Sequence, residues 1–459
     1  MNTTEEIVSI DNNQSDKKNT FIINHCPFNE IIKKYISLLD SQLDSFDIIY
    51  KTMSANVMTC INHYNTILKN KKIKVTKNDD NKEIIYTVPL EHGREFERIK
   101  DELDRSIQAF ILFPQHTVVA MVSLYDAYLS ELIECAYITK PQLLNACEKT
   151  FSFSDIIQFG SIDTLKKNVI EKDVESIIRE SHIKQLELLS NKFSVALTKD
   201  LPCYNNFIEI TERRNLFVHT NGRVSSQYLK TCNERPVDHK DEDVKIGEVL
   251  SAEPMYIEHC YNTLFEIGVK LGQVIWRKLE KDLKNADESL IEIGYELIKQ
   301  EKYSLACVIL DFSCERYVKH FNKETEYVLC VNRALAYYLK GDNNTCKEII
   351  NSVDWSGADS KFRLAHKVLL EQYDDAIDIM KKIGKDDSML YAYAEWPLFN
   401  NFRTTKQFKD LYKSIFGRDY QYSEIKHTKW EDVVQEAMGM IKESKKQKKK
   451  STTANEEKK

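Results

Sequence analysis

Apolar side chains recur at helical spacing along most of this chain. Ile31, Ile32, Tyr35, Leu38 and Leu39 fall at i, i+1, i+4, i+7 and i+8, which places them on one face of a helix within residues 27–71. A charged helix is expected from about Glu91 to Phe113, ending before Pro114, whose ring cannot donate a backbone hydrogen bond. The next stretch, Thr117 to Ser130, is nearly all apolar and holds one charge, Asp126. Val118, Met121, Val122, Tyr125, Leu129, Leu132 and Ile133 fill one broad stripe, so this segment is expected to be the central, most buried helix. Shorter helices are expected through 141–195, and longer ones over roughly 203–219 and 254–285. The stretch Asn233 to Lys245, with Pro236 and mixed charges, reads as a surface loop. Lys82 to Val88 is the one good strand candidate, in a hairpin or as an extended connector.

The pattern changes near residue 285. From Ser289 onward a helix–turn–helix rhythm recurs: Glu301-Lys302-Tyr303-Ser304-Leu305-Ala306 is matched in style by Glu371-Gln372-Tyr373-Asp374-Asp375-Ala376. Leu339-Lys340-Gly341-Asp342, ahead of Cys346, lies between them. The steps from Ala306 to Cys346 to Ala376 average close to the ~34-residue tetratricopeptide period. Asn332 to Tyr338 resembles the first helix of such a repeat, although the spacing is irregular and the full consensus is absent. The expected domains are a disordered segment over 1–24, a helical domain over 25–285, a degenerate helical-repeat domain over 288–417, and a C-terminal helix with a Lys-rich tail over 418–459.

Composition agrees with an all-α fold. Only 12 glycines and 8 prolines occur in 459 residues, too few for the frequent turns of a sandwich or barrel. Eleven cysteines lie mostly within apolar stretches and form no CxxC pair, which reads as reduced, buried thiols. The N-terminus has no apolar signal core, and no unbroken apolar run approaches the ~18 residues of a membrane span. A cytoplasmic protein with no membrane partner is therefore expected. The net charge is −6, but residues 442–459 hold eight Lys and three Glu, which leaves −11 on residues 1–441. So acidic a body binds nucleic acid only through a local basic groove. The Lys-rich end is either a solvated tail or a source of non-specific phosphate affinity.

Candidate chemistry concentrates in Phe207 to Gly222. Phe207, Ile210, Arg214 and Phe217 share a helical face, so Arg214 interrupts an apolar stripe; an inward guanidinium is costly unless it is paired or faces a cleft. His219 follows where Asn221-Gly222 should end the helix, and so can point into a groove beside Arg214. Histidine suits proton transfer near neutral pH, and arginine offers a planar fork of donors to phosphate. The alternative readings are Arg214 as a buried ion-pair partner of Asp126 or Glu209, and His219 as a helix-terminal cap. Glu209 and Arg213, at i and i+4, also read as a surface pair. The other ten histidines lack a nearby constellation.

The run Arg214-Asn215-Leu216-Phe217-Val218-His219 resembles the Arg-x4-His signature of HEPN ribonucleases, including the polar residue after the arginine. Glu209 and Arg213 are similar to the extension that precedes it in many of those enzymes. Ser123 to Leu132 is in the style of the family's earlier helix, and the likeness covers about residues 90–285. It implies a HEPN-type helical bundle that cleaves RNA by attack of its own 2′-OH, leaving a 2′,3′-cyclic phosphate and a 5′-OH. Arg214 and His219 would be catalytic, with Asn215, Asp126, Glu209 and Arg213 in support. No carboxylate cluster suited to Mg²⁺ is evident, so no metal or cofactor is expected. The resemblance further implies a homodimer that joins two motifs, a toxin-like or antiviral defence role, and a possible protein partner on the repeats. A non-catalytic HEPN scaffold that binds a nucleotide or protein is the alternative.

Overall fold

Two helices of more than forty residues, α1 (Pro27–Asn70) and α2 (Gly93–Thr139), run antiparallel and pack against each other. In the computed structural model the described residues are 27–420, apart from 78–83, 147–149, 198–200, 233–234, 239–243, 282 and 318. The segment expected over 1–24, and all but the first residues of that expected over 418–459, lie outside them. The described residues are all-α, with sixteen α-helices and one two-stranded hairpin. Within the strand candidate Lys82 to Val88, the described strand is β2 (Ile84–Thr87), paired antiparallel with β1 (Lys74–Lys77), Lys74 opposite Thr87. The hairpin links the far ends of α1 and α2, where the Tyr64 and Tyr86 hydroxyls meet at 3.0 Å.

Pro114 does not end a helix as expected, because α2 passes straight through it. The lost backbone bond costs about 3 kcal/mol, but packing on both sides offsets it. Phe113 stacks on Phe46 at 5.6 Å, Phe110 meets Tyr50 at 4.7 Å, and Pro114 itself is buried. Downstream the expected stripe is the core: Val118, Met121, Val122, Tyr125, Leu129, Leu132 and Ile133 are all fully buried. α2 is also, among the described residues, the one helix long and apolar enough to cross a membrane, with a window of mean hydropathy 1.5 of which 33% is buried. It holds no unbroken apolar run of that length, because polar residues are scattered through the segment.

α8 (Pro254–Leu279) closes the core against both long helices. Its glycines permit the approach: a Cβ on Gly268 would overlap the Tyr35 ring, and one on Gly272 the Tyr128 hydroxyl. Those two rings stack at 4.3 Å and donate to α8 backbone carbonyls, Tyr35 to Leu264 and Tyr128 to Gly268, each at 2.8 Å. The helices α3 (Phe153–Phe159), α4 (Ile162–Ile178), α5 (His182–Phe193), α6 (Tyr204–Thr220) and α7 (Ser226–Cys232) precede α8 in the chain.

The boundary expected near residue 285 is not where the compact units part: they are 1–352 and 353–459. The first unit therefore also holds α9 (Leu283–Lys299), α10 (Tyr303–Asp311), α11 (Lys323–Lys340) and α12 (Asn343–Asn351). The reason is polar as well as apolar. Lys33 pairs with Glu292 at 2.7 Å, Lys302 with Asp40 at 3.0 Å, and Arg277 with the buried Asp287 at 2.6 Å. The second unit holds α13 (Ser360–Leu369), α14 (Tyr373–Ile383), α15 (Asp387–Glu395) and α16 (Lys406–Phe416). Tyr393, Phe399, Phe402 and Phe408 form its aromatic core.

The three sequence repeats share one turn. Glu301, Gly341 and Glu371 take positive φ of 60°, 93° and 58° at the ends of α9, α11 and α13. The next amides, Lys302, Asp342 and Gln372, each donate at 2.9 Å to the carbonyl five residues back. This is a left-handed helix stop. Ala306, Cys346 and Ala376 then sit buried on the following helices.

Candidate active site

α6 carries the Arg-x4-His run. It ends as Asn221-Gly222 predicts, with φ of 50° and 79°. Glycine is needed at 222, because a Cβ there would lie 2.7 Å from the Leu250 carbonyl oxygen. The Leu250 amide donates to the Gly222 carbonyl at 2.9 Å, tying the end of α6 to the chain that enters α8.

The inward cation of α6 is Arg213 rather than Arg214. Arg213 is 2% exposed, whereas the side chain of Arg214 is 23% exposed. Phe207, Ile210 and Phe217 do point inward, but α2, α5, α7 and α8 pack around α6 and bury a second stripe through Glu209, Arg213 and Leu216. One apolar periodicity cannot reveal a helix enclosed on several sides. Glu209 and Arg213 are thus not a surface pair. Glu209 is fully buried and accepts from Arg213 Nε at 2.7 Å, Tyr228 OH at 2.6 Å and Tyr256 OH at 2.7 Å. The Arg213 guanidinium lies 4.2 Å over the Tyr256 ring and donates to the Ser251 carbonyl at 3.2 Å. Burial alone would lower the Arg213 pKa, but Tyr256 and Glu209 beside it hold it above the ordinary value. These two residues lock α6, α7 and α8 together.

Arg214 faces α2 and α5. Its Nη2 is 3.6 Å from Asp126 Oδ2, its Nη1 donates to Asn215 Oδ1 at 3.2 Å, and its buried Nε has no partner among the described residues. The other carboxylate oxygen, Asp126 Oδ1, lies 3.0 Å from His182 Nε2. His182 opens α5 directly after Ser181, whose hydroxyl caps that helix by accepting from the Lys184 amide. The imidazole is edge-on to Phe207 at 5.6 Å and 6.3 Å from the Tyr125 ring. Burial pushes the Glu212 carboxyl above the ordinary carboxylate range, and nearby His182 counters it in part. The structure therefore gathers Asp126, His182, Glu212, Arg214 and Asn215.

His182 corrects the reading that no other histidine has a constellation. It was hidden because Asp126 lies 56 residues away in sequence; only its place after a capping serine marks it. His219 is exposed at the end of α6, and its imidazole makes no hydrogen bond or ion pair among the described residues. Five residues along a helix set it about 140° around the axis from Arg214, on a different face of α6. Two grooves lie elsewhere, one of about 270 Å³ against α1 and α9 and one of about 480 Å³ between α2 and α4. No group of three His, Cys, Asp or Glu side chains converges as metal ligands among the described residues. No family model, curated protein or solved structure matches the chain, and the site itself carries the functional reading.

Proposed function

We propose that this chain is a metal-independent endoribonuclease of the HEPN type. The RNA 2′-OH attacks the adjacent phosphorus, the 5′-oxygen leaves, and the ends are a 2′,3′-cyclic phosphate and a 5′-OH. Arg214 binds the phosphate and stabilises its developing charge, and His219 transfers the proton. The observation that supports this most is the state of Arg214: partly exposed, loosely paired with Asp126 at 3.6 Å, and with Nε unpartnered among the described residues. Donors remain for a phosphate. Glu209 and Arg213 support the site by holding α6 rather than by touching RNA.

The roughly 140° between Arg214 and His219 favours a homodimer in which each copy supplies one of the two groups. A regulated role in toxin-like or antiviral defence, with the helical repeats binding a partner, belongs to the same proposal. The test is cleavage of total RNA in EDTA by wild type, Arg214→Ala and His219→Ala. Each variant should lose on the order of 10²-fold or more with an unchanged melting temperature. Cleavage that survives both substitutions, or that vanishes on chelation, sinks the proposal.

One observation favours a second reading. Asp126 already lies beside Arg214, and His219 has no polar partner among the described residues. A non-catalytic helical scaffold that binds a nucleotide or protein has no need to assemble them. A dimer that binds nucleotide and cleaves no RNA would establish that alternative.

A further inference from the structure

We propose that His182 is a positioning residue of this site: by holding one oxygen of Asp126, it keeps that carboxylate from closing on Arg214. The role given to Arg214 rests on the ribonuclease reading, but the hydrogen-bond arrangement does not.

An aspartate beside an arginine frequently closes to a two-pronged pair at about 2.8 Å, with both oxygens engaged. Asp126 does not. Its Oδ1 is taken by His182 Nε2 at 3.0 Å, and its Oδ2 stops 3.6 Å from Arg214 Nη2, beyond a hydrogen bond. The imidazole has little freedom to release it. Phe207 from α6 meets the ring edge-on, Tyr125 from α2 lies beside it, and its residue is 9% exposed. The charged groups that face His182 are Asp126 from α2 and Glu212 from α6. Because Asp126 accepts, Nε2 carries the hydrogen. Without that bond, the two side-chain torsions of Asp126 are free to swing both oxygens onto the guanidinium. Arg214 would then be neutralised by its own neighbour before any phosphate arrived.

Two substitutions separate this from packing. His182→Gln keeps an amide donor near the Nε2 position and loses the ring; His182→Phe keeps the ring between Tyr125 and Phe207 and loses the donor. The first readout needs no enzymatic activity: the rate at which phenylglyoxal modifies Arg214 in the full-length protein, followed by mass spectrometry. His182→Phe should slow the modification roughly 10-fold or more, as one added charge-assisted hydrogen bond would. His182→Gln should stay near wild type. His182→Phe with Asp126→Ala should react as fast as Asp126→Ala alone, since the clamp is then gone. With cleavable RNA, His182→Phe should raise KM more than it lowers kcat, and Asp126→Ala should suppress that rise. An unchanged or faster modification of His182→Phe overturns the proposal. So does equal impairment of both single variants, or a slow rate that persists in the double variant. If the wild type cleaves no RNA, the ribonuclease reading fails while the labelling result still decides the role of His182.

Discussion

Replacing Glu209 by alanine removes the one acceptor on which three buried donors converge: Arg213 Nε, Tyr228 OH and Tyr256 OH, at 2.6–2.7 Å. Removing the carboxylate paired with a buried cation costs about 3–5 kcal/mol. Each stranded hydroxyl adds about 1–3 kcal/mol where water does not enter. Water filling the vacated space recovers part of this, so a total of about 4–6 kcal/mol is expected. That is comparable with the whole stability of a typical domain, about 5–15 kcal/mol. Glu209→Gln keeps the shape and one oxygen and should cost less, about 2–3 kcal/mol. Glu209→Leu combined with Arg213→Met replaces the ion pair by apolar groups of similar size and should recover most of the loss. The assay is hydrogen exchange of the α6 and α8 amides under increasing denaturant, which reads the unit that holds this network. A cost below about 1 kcal/mol for Glu209→Ala would refute the reasoning, since the value rests on the desolvation of a buried charge. A Glu209→Gln protein with wild-type exchange but no cleavage would place Glu209 in the chemistry instead.

The remaining expectations are shorter. Light scattering should give a dimer with α6 near its two-fold axis; a strictly monomeric species that cleaves RNA removes the shared site. A chain ended after residue 285 loses the helices that pair through Glu292, Asp287 and Lys302 and should aggregate. A chain ended after Ser352 keeps the first unit whole and should stay soluble and cleave RNA in vitro; a folded 1–352 protein without activity would show that the rest helps build the site. Gly268→Ala forces a methyl against the Tyr35 ring and should destabilise by about 1–3 kcal/mol; a neutral result in thermal melting would mean that α8 shifts freely. Glu212 has a raised folded pKa, so its ionised form is the one the fold disfavours. Its relative stability contribution is therefore complete below the unfolded glutamate pKa and is lost as pH rises through the folded one. Glu212→Gln should match wild type in melts near pH 4 and exceed it near pH 7, and an advantage confined to acid pH would contradict the sign.

The all-α class was legible along the chain, because scarce turn residues and 3.6-residue periodicity are local properties. So were the central stripe of α2, the Asn221-Gly222 stop and the three repeated turns, where neighbouring residues set the backbone. What was not legible there depended on partners distant in the chain. Pro114 stays inside α2 because aromatic rings from α1 outweigh a lost backbone bond. α9 to α12 join the first unit through ion pairs to α1 and α8, which no composition shift near 285 announces. The buried cation of α6 is Arg213 rather than Arg214, because helices on several sides cover two stripes where periodicity can show one. His182 reaches Asp126 only through the packing of α5 on α2 and α6, since a hydrogen bond between residues 56 apart leaves no periodic trace in either segment.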